Sequence, residues 1–113
     1  MSEGIKFDAD KPNWALLPLG PLEVVVKVLD HGAKKYGAFN WVQVESAEER
    51  YFAATMRHLA AWQSLESVDP ESGLSHLAHA ACNLIFMLWF EENNKVLKSR
   101  LPTQPEKAVL NDD

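Results

Sequence analysis

The sequence predicts an all-α fold, a helical bundle built on an antiparallel helical hairpin of residues 46–66 and 75–98. Three observations predict it. Apolar residues recur at helical intervals in the first segment, and the second segment is apolar on nearly every side as far as residue 90. The connection between them, SVDPESGLS, has a length usual between antiparallel helices and contains a proline and a glycine, which interrupt helix.

An extended segment and one further helix precede the hairpin. Residues 1–20 are charged and interrupted by prolines and glycines, so we expect an extended N-terminal segment. Pro21 suits the first turn of a helix that runs to about residue 36. Apolar residues at the spacing i, i+3, i+4 and i+7 favour this helix over the strand that its valines would also allow. They are Leu22, Val25, Val26 and Leu29.

The hairpin has a marked start and a large apolar surface. Ser46 and Glu49 match a capping box, in which side-chain and backbone groups at a helix start satisfy each other. Three helices of this size do not easily cover the surface of residues 77–90, so we expect a homo-oligomer. We expect residues 1–100 to form a single domain and residues 101–113, with two prolines and a terminal Asn-Asp-Asp, to form a loose tail.

Composition excludes several classes of protein. The 113 residues carry a net charge of −5, so we expect no direct nucleic-acid binding. Cys82 is the only cysteine, which excludes an internal disulfide and a cysteine-based zinc site, and its apolar neighbours indicate a small buried side chain. No signal peptide is visible and the run 84–90 is too short to span a bilayer, so we expect a cytoplasmic protein with no membrane partner.

A polar stripe interrupts the apolar helix of the hairpin. His76, His79 and Asn83 recur there at helical spacing. An antiparallel arrangement at about 1.5 Å per residue aligns three pairs across the hairpin: His58 with Asn83, Trp62 with His79, and Glu66 with His76. Asp69 and Glu71 of the connection would lie at the same end. The spacing therefore predicts a cluster of imidazoles and carboxylates at the end of the hairpin where the connection joins the two helices.

Imidazoles and carboxylates together suit a divalent metal, and we expect Mg²⁺ or Mn²⁺. The predicted ligands are Asp69, Glu71, His76 and His79. His58 and His79 are the candidate catalytic residues, as general bases that activate water. A purely structural stripe, with His76 capping the helix start, is the alternative.

A second cluster, HGAKKYGAFNW, spans residues 31–41. Lys34 and Lys35 lie between two glycines and could present ammonium and backbone N–H groups to phosphates, although the order of residues is not that of a Walker loop. A solvated turn is the alternative. The aromatic side chains of Tyr36, Phe39 and Trp41 could stack on a base or, as readily, close the core.

Four motifs in order resemble a known family. They are IKFDADKPNWALLP, VLDHGAKKYGAFNW, RYFAATMRHLAAW and DPESGLSHLAHAACNLIFML. From about Gly4 to Leu88 the chain resembles the phage-associated dATP/dGTP diphosphohydrolase N-terminal domain family, which is related in function to MazG-like all-α nucleotide pyrophosphohydrolases. The resemblance implies cleavage of a purine deoxynucleoside triphosphate to the monophosphate and pyrophosphate with Mg²⁺.

The resemblance also marks positions in the site. Besides the histidines and acids named above, Asp8 matches the motifs, and so do the positions that we assign to substrate binding: Lys6, Lys11, Lys34, Lys35, Tyr36, Asn40, Trp41, Arg57 and Asn83.

One feature departs from the MazG-like pattern. Those enzymes carry E-E-x-x-E on one helix and E-x-x-D on the next, whereas here Glu48 and Glu49 are followed by Arg50, Tyr51 and Phe52. Either the aspartate, glutamate and histidine group holds the metal, or the chain binds nucleotide without hydrolysis. A small phage helical protein that binds and modulates a host protein is the third hypothesis.

Overall fold

Helices form all the regular secondary structure of the residues that the computed structural model describes, residues 3–93. The three α-helices are α1 (Leu19–Tyr36), α2 (Ala47–Gln63) and α3 (His76–Glu92), and short 3-10 turns lie at Trp14–Leu16 and Asn40–Gln43. No strand occurs between residues 3 and 93, where one isolated bridge joins Val68 to Ser75 across the α2–α3 connection. The predicted all-α fold is confirmed.

Helices α2 and α3 form the predicted antiparallel hairpin. The ring of Tyr51 lies 5.1 Å from that of Phe86, and the ring of His58 lies 4.5 Å from that of His79. A residue later in α2 therefore contacts a residue earlier in α3, as in an antiparallel pair of helices. Helix α2 ends at Gln63, three residues before the predicted end at 66. The predicted end of α3 at residue 98 and the predicted tail of 101–113 lie outside the described residues.

The predicted capping box at the start of α2 is wrong, although the helix begins where the motif placed it. Ser46 has a left-handed backbone, with φ of 52°, and its side chain makes no capping hydrogen bond. A capping box needs an extended N-cap residue, so that its oxygen faces the first-turn N–H groups. A serine cap forms instead at α3, where Ser75 Oγ accepts a hydrogen bond from the N–H of Leu77 at 3.1 Å.

Outside a turn at residues 9–10, bends at residues 11 and 17 and its 3-10 turn, the N-terminal segment has no regular structure before α1, as predicted. Asn13 caps the 3-10 turn, since its side-chain oxygen accepts from the N–H of Ala15. The side chains of Trp14 and Leu16 stay largely exposed. Within the described residues, the segment therefore contributes little to the core.

Helix α3 is central, because it packs against both α1 and α2. Val25 and Val28 of α1 meet Ala78, Cys82 and Phe86 of α3 in the buried core. Cys82 is only 2% exposed, as predicted, and its burial raises the pKa of the thiol to about 11. At neutral pH this cysteine is a protonated, unreactive core residue.

Trp41 covers the end of the core formed by the C-terminal half of α3. Its ring stacks on Phe86 with centroids 4.3 Å apart and meets Trp89 edge-on at 5.3 Å. The hydroxyl of Tyr51 donates to the backbone carbonyl of Trp41 at 3.2 Å. The sequence left open whether the aromatic side chains of residues 36–41 stack on a base or close the core. Trp41 closes the core.

An apolar face remains exposed on the single chain. Its α3 side chains are Leu77, Leu84, Ile85 and Leu88, and Phe52, Met56 and Leu59 of α2 are exposed as well. This agrees with the expectation that two other helices do not cover α3, and self-association through this face stays a prediction. Within residues 3–93, no helix has the length and apolarity that crossing a membrane requires.

Candidate active site

All four histidines of the sequence converge, and together we call them the histidine cluster. His31 comes from α1, His58 from α2, and His76 and His79 from the start of α3. The rings of His58 and His79 stack with centroids 4.5 Å apart, His58 lies 5.1 Å from His76, and His31 meets His79 edge-on at 6.5 Å. Packing of α1 against α3 adds His31, which was not among the histidines predicted for the site.

Backbone hydrogen bonds hold the α2–α3 connection in shape. The N–H of Asp69 donates to the carbonyl of Leu74 at 2.8 Å, and the N–H of His76 donates to that of Ser67 at 3.0 Å. Asp69 Oδ2 accepts from the N–H groups of Glu71 at 3.1 Å and Ser72 at 2.9 Å. Because both bonds fall on Oδ2, the other oxygen keeps its lone pairs for a further partner.

The charge state of Asp69 follows from the same contacts. Partial burial raises its pKa, but the N–H of Ser72, the nearby His79 and the N–H of Glu71 outweigh it, so the net pKa is lowered. Asp69 is therefore an anion beside the histidines at neutral pH.

His76 is buried and bonded on both ring nitrogens. Nε2 lies 2.9 Å from Oε1 of Glu66, and Nδ1 lies 2.9 Å from Nδ1 of His58. A carboxylate only accepts, so Nε2 carries a hydrogen, and the tautomer with its only ring hydrogen there presents a lone pair at Nδ1. The predicted alignment of Glu66 with His76 is confirmed, although sequence analysis gave Glu66 no role.

The predicted alignment of His58 with Asn83 is wrong by about one helical turn. His58 lies against His76 and His79 instead. The reason is that α2 ends at Gln63 and not at residue 66. The α2–α3 connection therefore starts earlier, and each residue of α2 faces a residue of α3 about four positions before the predicted one. Glu66 still reaches His76, now from the connection and not from a helix.

His79 has its own partner. Its Nε2 lies 2.7 Å from the hydroxyl oxygen of Ser72, which in turn accepts from the N–H of Leu74 at 3.1 Å. Burial lowers the pKa of His79, and although Asp69 raises it, the neighbouring His31 and His76 lower it further. Burial, His79 and His76 likewise lower the pKa of His58. Both rings are therefore neutral at pH 7.

Glu71 faces a different direction from the other predicted metal ligands. Its carboxylate pairs with the ammonium of Lys35, and this contact lowers the pKa of Glu71 and raises that of Lys35. Nε2 of His31 is 3.8 Å from the same carboxylate. Glu71 thus links the connection to α1.

Three side chains bring possible metal-donor atoms within 4.8 Å of one another: His58, Asp69 and His76, which we call the donor trio. Asp69 and His76 were predicted ligands, whereas His58 was predicted only as a catalytic residue. Two imidazoles and one carboxylate are a common ligand set for divalent transition metals, so the chemistry of the donor trio fits a metal. Glu71 and His79 face Lys35 and Ser72 instead.

A cavity of about 820 Å³ lies beside the cluster, between α1, the segment that follows it, α2 and α3. Most of the predicted site residues line it: Lys35, Tyr36, Asn40, Trp41, Arg57, His58, Asp69, Glu71, His79 and Asn83. Lys6, Lys11 and Lys34 are exposed elsewhere and do not line it, and His76 lies behind the lining. The structure therefore brings most of the predicted site residues together around one cavity, and Lys6, Lys11 and Lys34 lie outside it.

Arg50 also lines the cavity and was missed. It precedes Arg57 by two helical turns, so both guanidinium groups arise from one side of α2. The seven-residue spacing from Arg57 could therefore have predicted that Arg50 lies on the same side of the helix. For Ser72, which contacts His79, no pattern in the sequence distinguished it from an ordinary loop serine.

Fold and site together define a class of protein: an all-α domain in which cationic side chains and a histidine–aspartate donor group surround one cavity. The chain belongs to the family described as dATP/dGTP diphosphohydrolase, N-terminal, whose model matches residues 1–100. The resemblance that the four motifs indicated is thereby confirmed.

One relative has a named activity. The chain is 37% identical over 97 residues to a protein of Salmonella phage PMBT28 named dATP/dGTP diphosphohydrolase. The match covers 86% of this chain and 33% of that protein, so the chain spans about a third of its relative's length. No solved structure matches the chain.

Proposed function

We propose that the chain is a metal-dependent nucleoside triphosphate pyrophosphohydrolase that converts dATP or dGTP to the monophosphate and pyrophosphate. The observation that carries this proposal is that one cavity, of about 820 Å³, combines cationic groups, aromatic rings and two members of the donor trio. A volume of this size lies within the range of small-molecule sites, about 300–1,000 Å³. The name of the phage relative supports the substrate class.

Cationic side chains on two sides of the cavity provide for the triphosphate. Lys35 reaches it from α1, and Arg50 and Arg57 reach it from α2. Guanidinium and ammonium groups form charge-assisted hydrogen bonds with phosphate oxygens, which are stronger than neutral ones. Because the whole chain is acidic, with a net charge of −5, this local group supplies the attraction for an anionic substrate.

Aromatic rings that line the cavity provide for the base. Tyr36 and Phe39 line the cavity and are largely exposed, so each ring can stack on a purine, Tyr36 through the face that the ammonium of Lys35 leaves uncovered. Trp41 lines the cavity too, but one face of its ring is covered by Phe86. The side-chain amides of Asn40 and Asn83 can donate to and accept from the polar edges of a base.

His58, Asp69 and His76 would hold the divalent metal. When bound, the metal would neutralise phosphate charge and polarise a phosphoryl oxygen. His79 remains for proton transfer, since its neutral ring lines the cavity next to the stacked His58. In the proposed step a water oxygen bonds to the α-phosphorus, the bond to the pyrophosphate oxygen breaks, and His79 accepts the water proton.

The reaction is tested by incubating the chain with dATP or dGTP and either Mg²⁺ or Mn²⁺. We expect equal amounts of nucleoside monophosphate and pyrophosphate, measured by ion-exchange chromatography, and no product after chelation of the metal. Release of single phosphate in place of pyrophosphate would contradict the proposed reaction.

A second candidate is nucleotide binding without turnover. It is favoured by two observations: the donor trio contains one carboxylate, where the MazG-like pattern carries several, and the chain spans only about a third of its relative's length. A rise in melting temperature with dGTP, without any pyrophosphate release, would select this candidate.

Lys35 and Lys34 offer a matched pair of variants. Lys35→Ala should weaken triphosphate binding by about tenfold or more, because a charged hydrogen bond contributes about 1.5–3 kcal/mol. Lys34→Ala should leave affinity unchanged, since Lys34 does not line the cavity. Isothermal titration calorimetry with a non-hydrolysable dGTP analogue measures both. Equal losses in the two variants would indicate a general effect of charge.

A further inference from the structure

We propose that the donor trio selects a first-row transition metal such as Co²⁺ or Zn²⁺ over Mg²⁺, with Glu66 as the positioning residue that makes His76 a ligand. The inference deepens the proposed function by naming the metal class of the same site. It can fail separately, because metal binding is measured without nucleotide.

The distance between the two imidazoles suits a shared metal. Their Nδ1 atoms are 2.9 Å apart. Two nitrogens that each lie about 2.0–2.1 Å from one metal are separated by about 2.9 Å at a right angle and about 3.3 Å at the tetrahedral angle. The rings therefore need to part by at most a few tenths of an ångström.

Donor chemistry decides between metals. Two of the three donors are imidazole nitrogens, and only Asp69 supplies oxygen. Mg²⁺ prefers an octahedral shell of oxygen ligands and gains little from nitrogen. Imidazole suits zinc, iron, nickel and copper, and affinity for nitrogen sites rises along the first-row series toward copper. A set of two histidines and one carboxylate therefore discriminates against Mg²⁺.

Glu66 determines which nitrogen of His76 is free. Its Oε1 lies 2.9 Å from Nε2 and keeps the ring hydrogen there, so the lone pair of Nδ1 faces His58. A carboxylate that accepts from the outer nitrogen of a ligating histidine is a recurrent feature of metal sites. His76 is only 3% exposed, so its ring has little freedom to turn, whereas Glu66 is exposed and can be replaced without opening the core.

The trio opens toward the cavity and not toward the core. His58 and Asp69 line the cavity, with His76 behind them. Three protein ligands leave at least one position for water or a phosphate oxygen, as in catalytic zinc sites. A metal held by the trio would therefore face the cavity in which the substrate is proposed to bind.

A metal-free alternative exists, in which Nδ1–H of His58 simply donates to Nδ1 of His76. Titration of the metal-free 113-residue chain with Co²⁺, followed by visible absorption and calorimetry, distinguishes the two. We expect one Co²⁺ per chain, an absorption spectrum typical of nitrogen and oxygen ligands, and an affinity at least a hundred times that for Mg²⁺. Glu66→Gln should weaken Co²⁺ binding by about 10–100-fold, the usual effect of losing an outer carboxylate.

Glu49→Gln is the matched control, because Glu49 is exposed at the start of α2, nine residues or about 13 Å along the helix from His58. It should bind Co²⁺ like the wild type. Failure of the wild type to bind Co²⁺ more tightly than Mg²⁺ would overturn the proposal, and pyrophosphate release with Mg²⁺ alone would then leave the proposed function standing. Equal affinities of Glu66→Gln and wild type for Co²⁺ would remove the role of Glu66.

Discussion

Asp69→Asn should lower metal-dependent pyrophosphate release by about a hundredfold or more, since even the loss of an outer-shell partner commonly costs 10–100-fold. Asp69 is the only carboxylate of the donor trio, and the substitution removes its charge. An asparagine keeps an oxygen that can accept from the N–H groups of Glu71 and Ser72, so the connection should retain its shape. Initial rates at saturating Mn²⁺ and dGTP measure the loss, and the melting temperature should stay close to that of the wild type.

Two companion variants make this result specific. Asp10→Asn, in the exposed N-terminal segment, removes the same charge far along the chain from the site and should retain full activity. Glu71→Gln separates the two ligand sets, because sequence analysis predicted Glu71 as a ligand and the structure pairs it with Lys35. We expect Glu71→Gln to keep its metal dependence. Loss of metal dependence in Glu71→Gln, with Asp69→Asn fully active, would support the ligand set predicted from sequence.

Trp41→Ala should lower the free energy of unfolding by about 3 kcal/mol, the lower end of the usual effect of removing a large aromatic side chain, because Trp41 is only partly buried. The indole stacks on Phe86 at 4.3 Å and meets Trp89 and Phe90 edge-on at 5.3 and 6.1 Å. Truncation would remove one aromatic contact from each of these three rings, leaving Phe86 and Phe90 packed on Tyr51 and Trp89 packed on Phe90. Urea denaturation followed by far-ultraviolet circular dichroism measures the change without depending on tryptophan fluorescence.

Trp14→Ala is the control for Trp41→Ala, because the side chain of Trp14 is 77% exposed and its loss should change stability little. Since the expected loss is a large fraction of the stability of a small domain, Trp41→Phe serves as a milder variant that keeps an aromatic ring. A Trp41→Ala protein of unchanged stability but reduced dGTP affinity would show that Trp41 acts as a base-stacking surface and not as a core residue.

Local sequence patterns were sufficient for the helices and for the general position of the site. Helical periodicity indicated α1 and α2, and the apolar run around Cys82 indicated a buried α3. These patterns depend on neighbours three and four residues apart, which the chain order alone brings together. The stripe of His76 and His79 likewise followed from spacing on one helix, and Glu66 was placed beside His76.

Only the tertiary structure decided which side chains meet. The early end of α2 shifted the pairing of the helices by one turn, so that His58 meets His76 and His79 and not Asn83. Packing of α1 against α3 brought His31 and Lys35 to the site and left Lys34 outside the cavity.

Backbone conformation had the same kind of effect. The left-handed φ of Ser46 prevented the capping box, while the turn around Asp69 aimed that carboxylate at the histidines. Such contacts depend on where a helix ends and how two helices face each other, and a change of one turn moves a side chain by about 5.4 Å. This displacement exceeds the length of a metal–ligand or hydrogen bond. The sequence by itself therefore determined the helices and the composition of the site, and tertiary packing decided which of its residues form the donor trio.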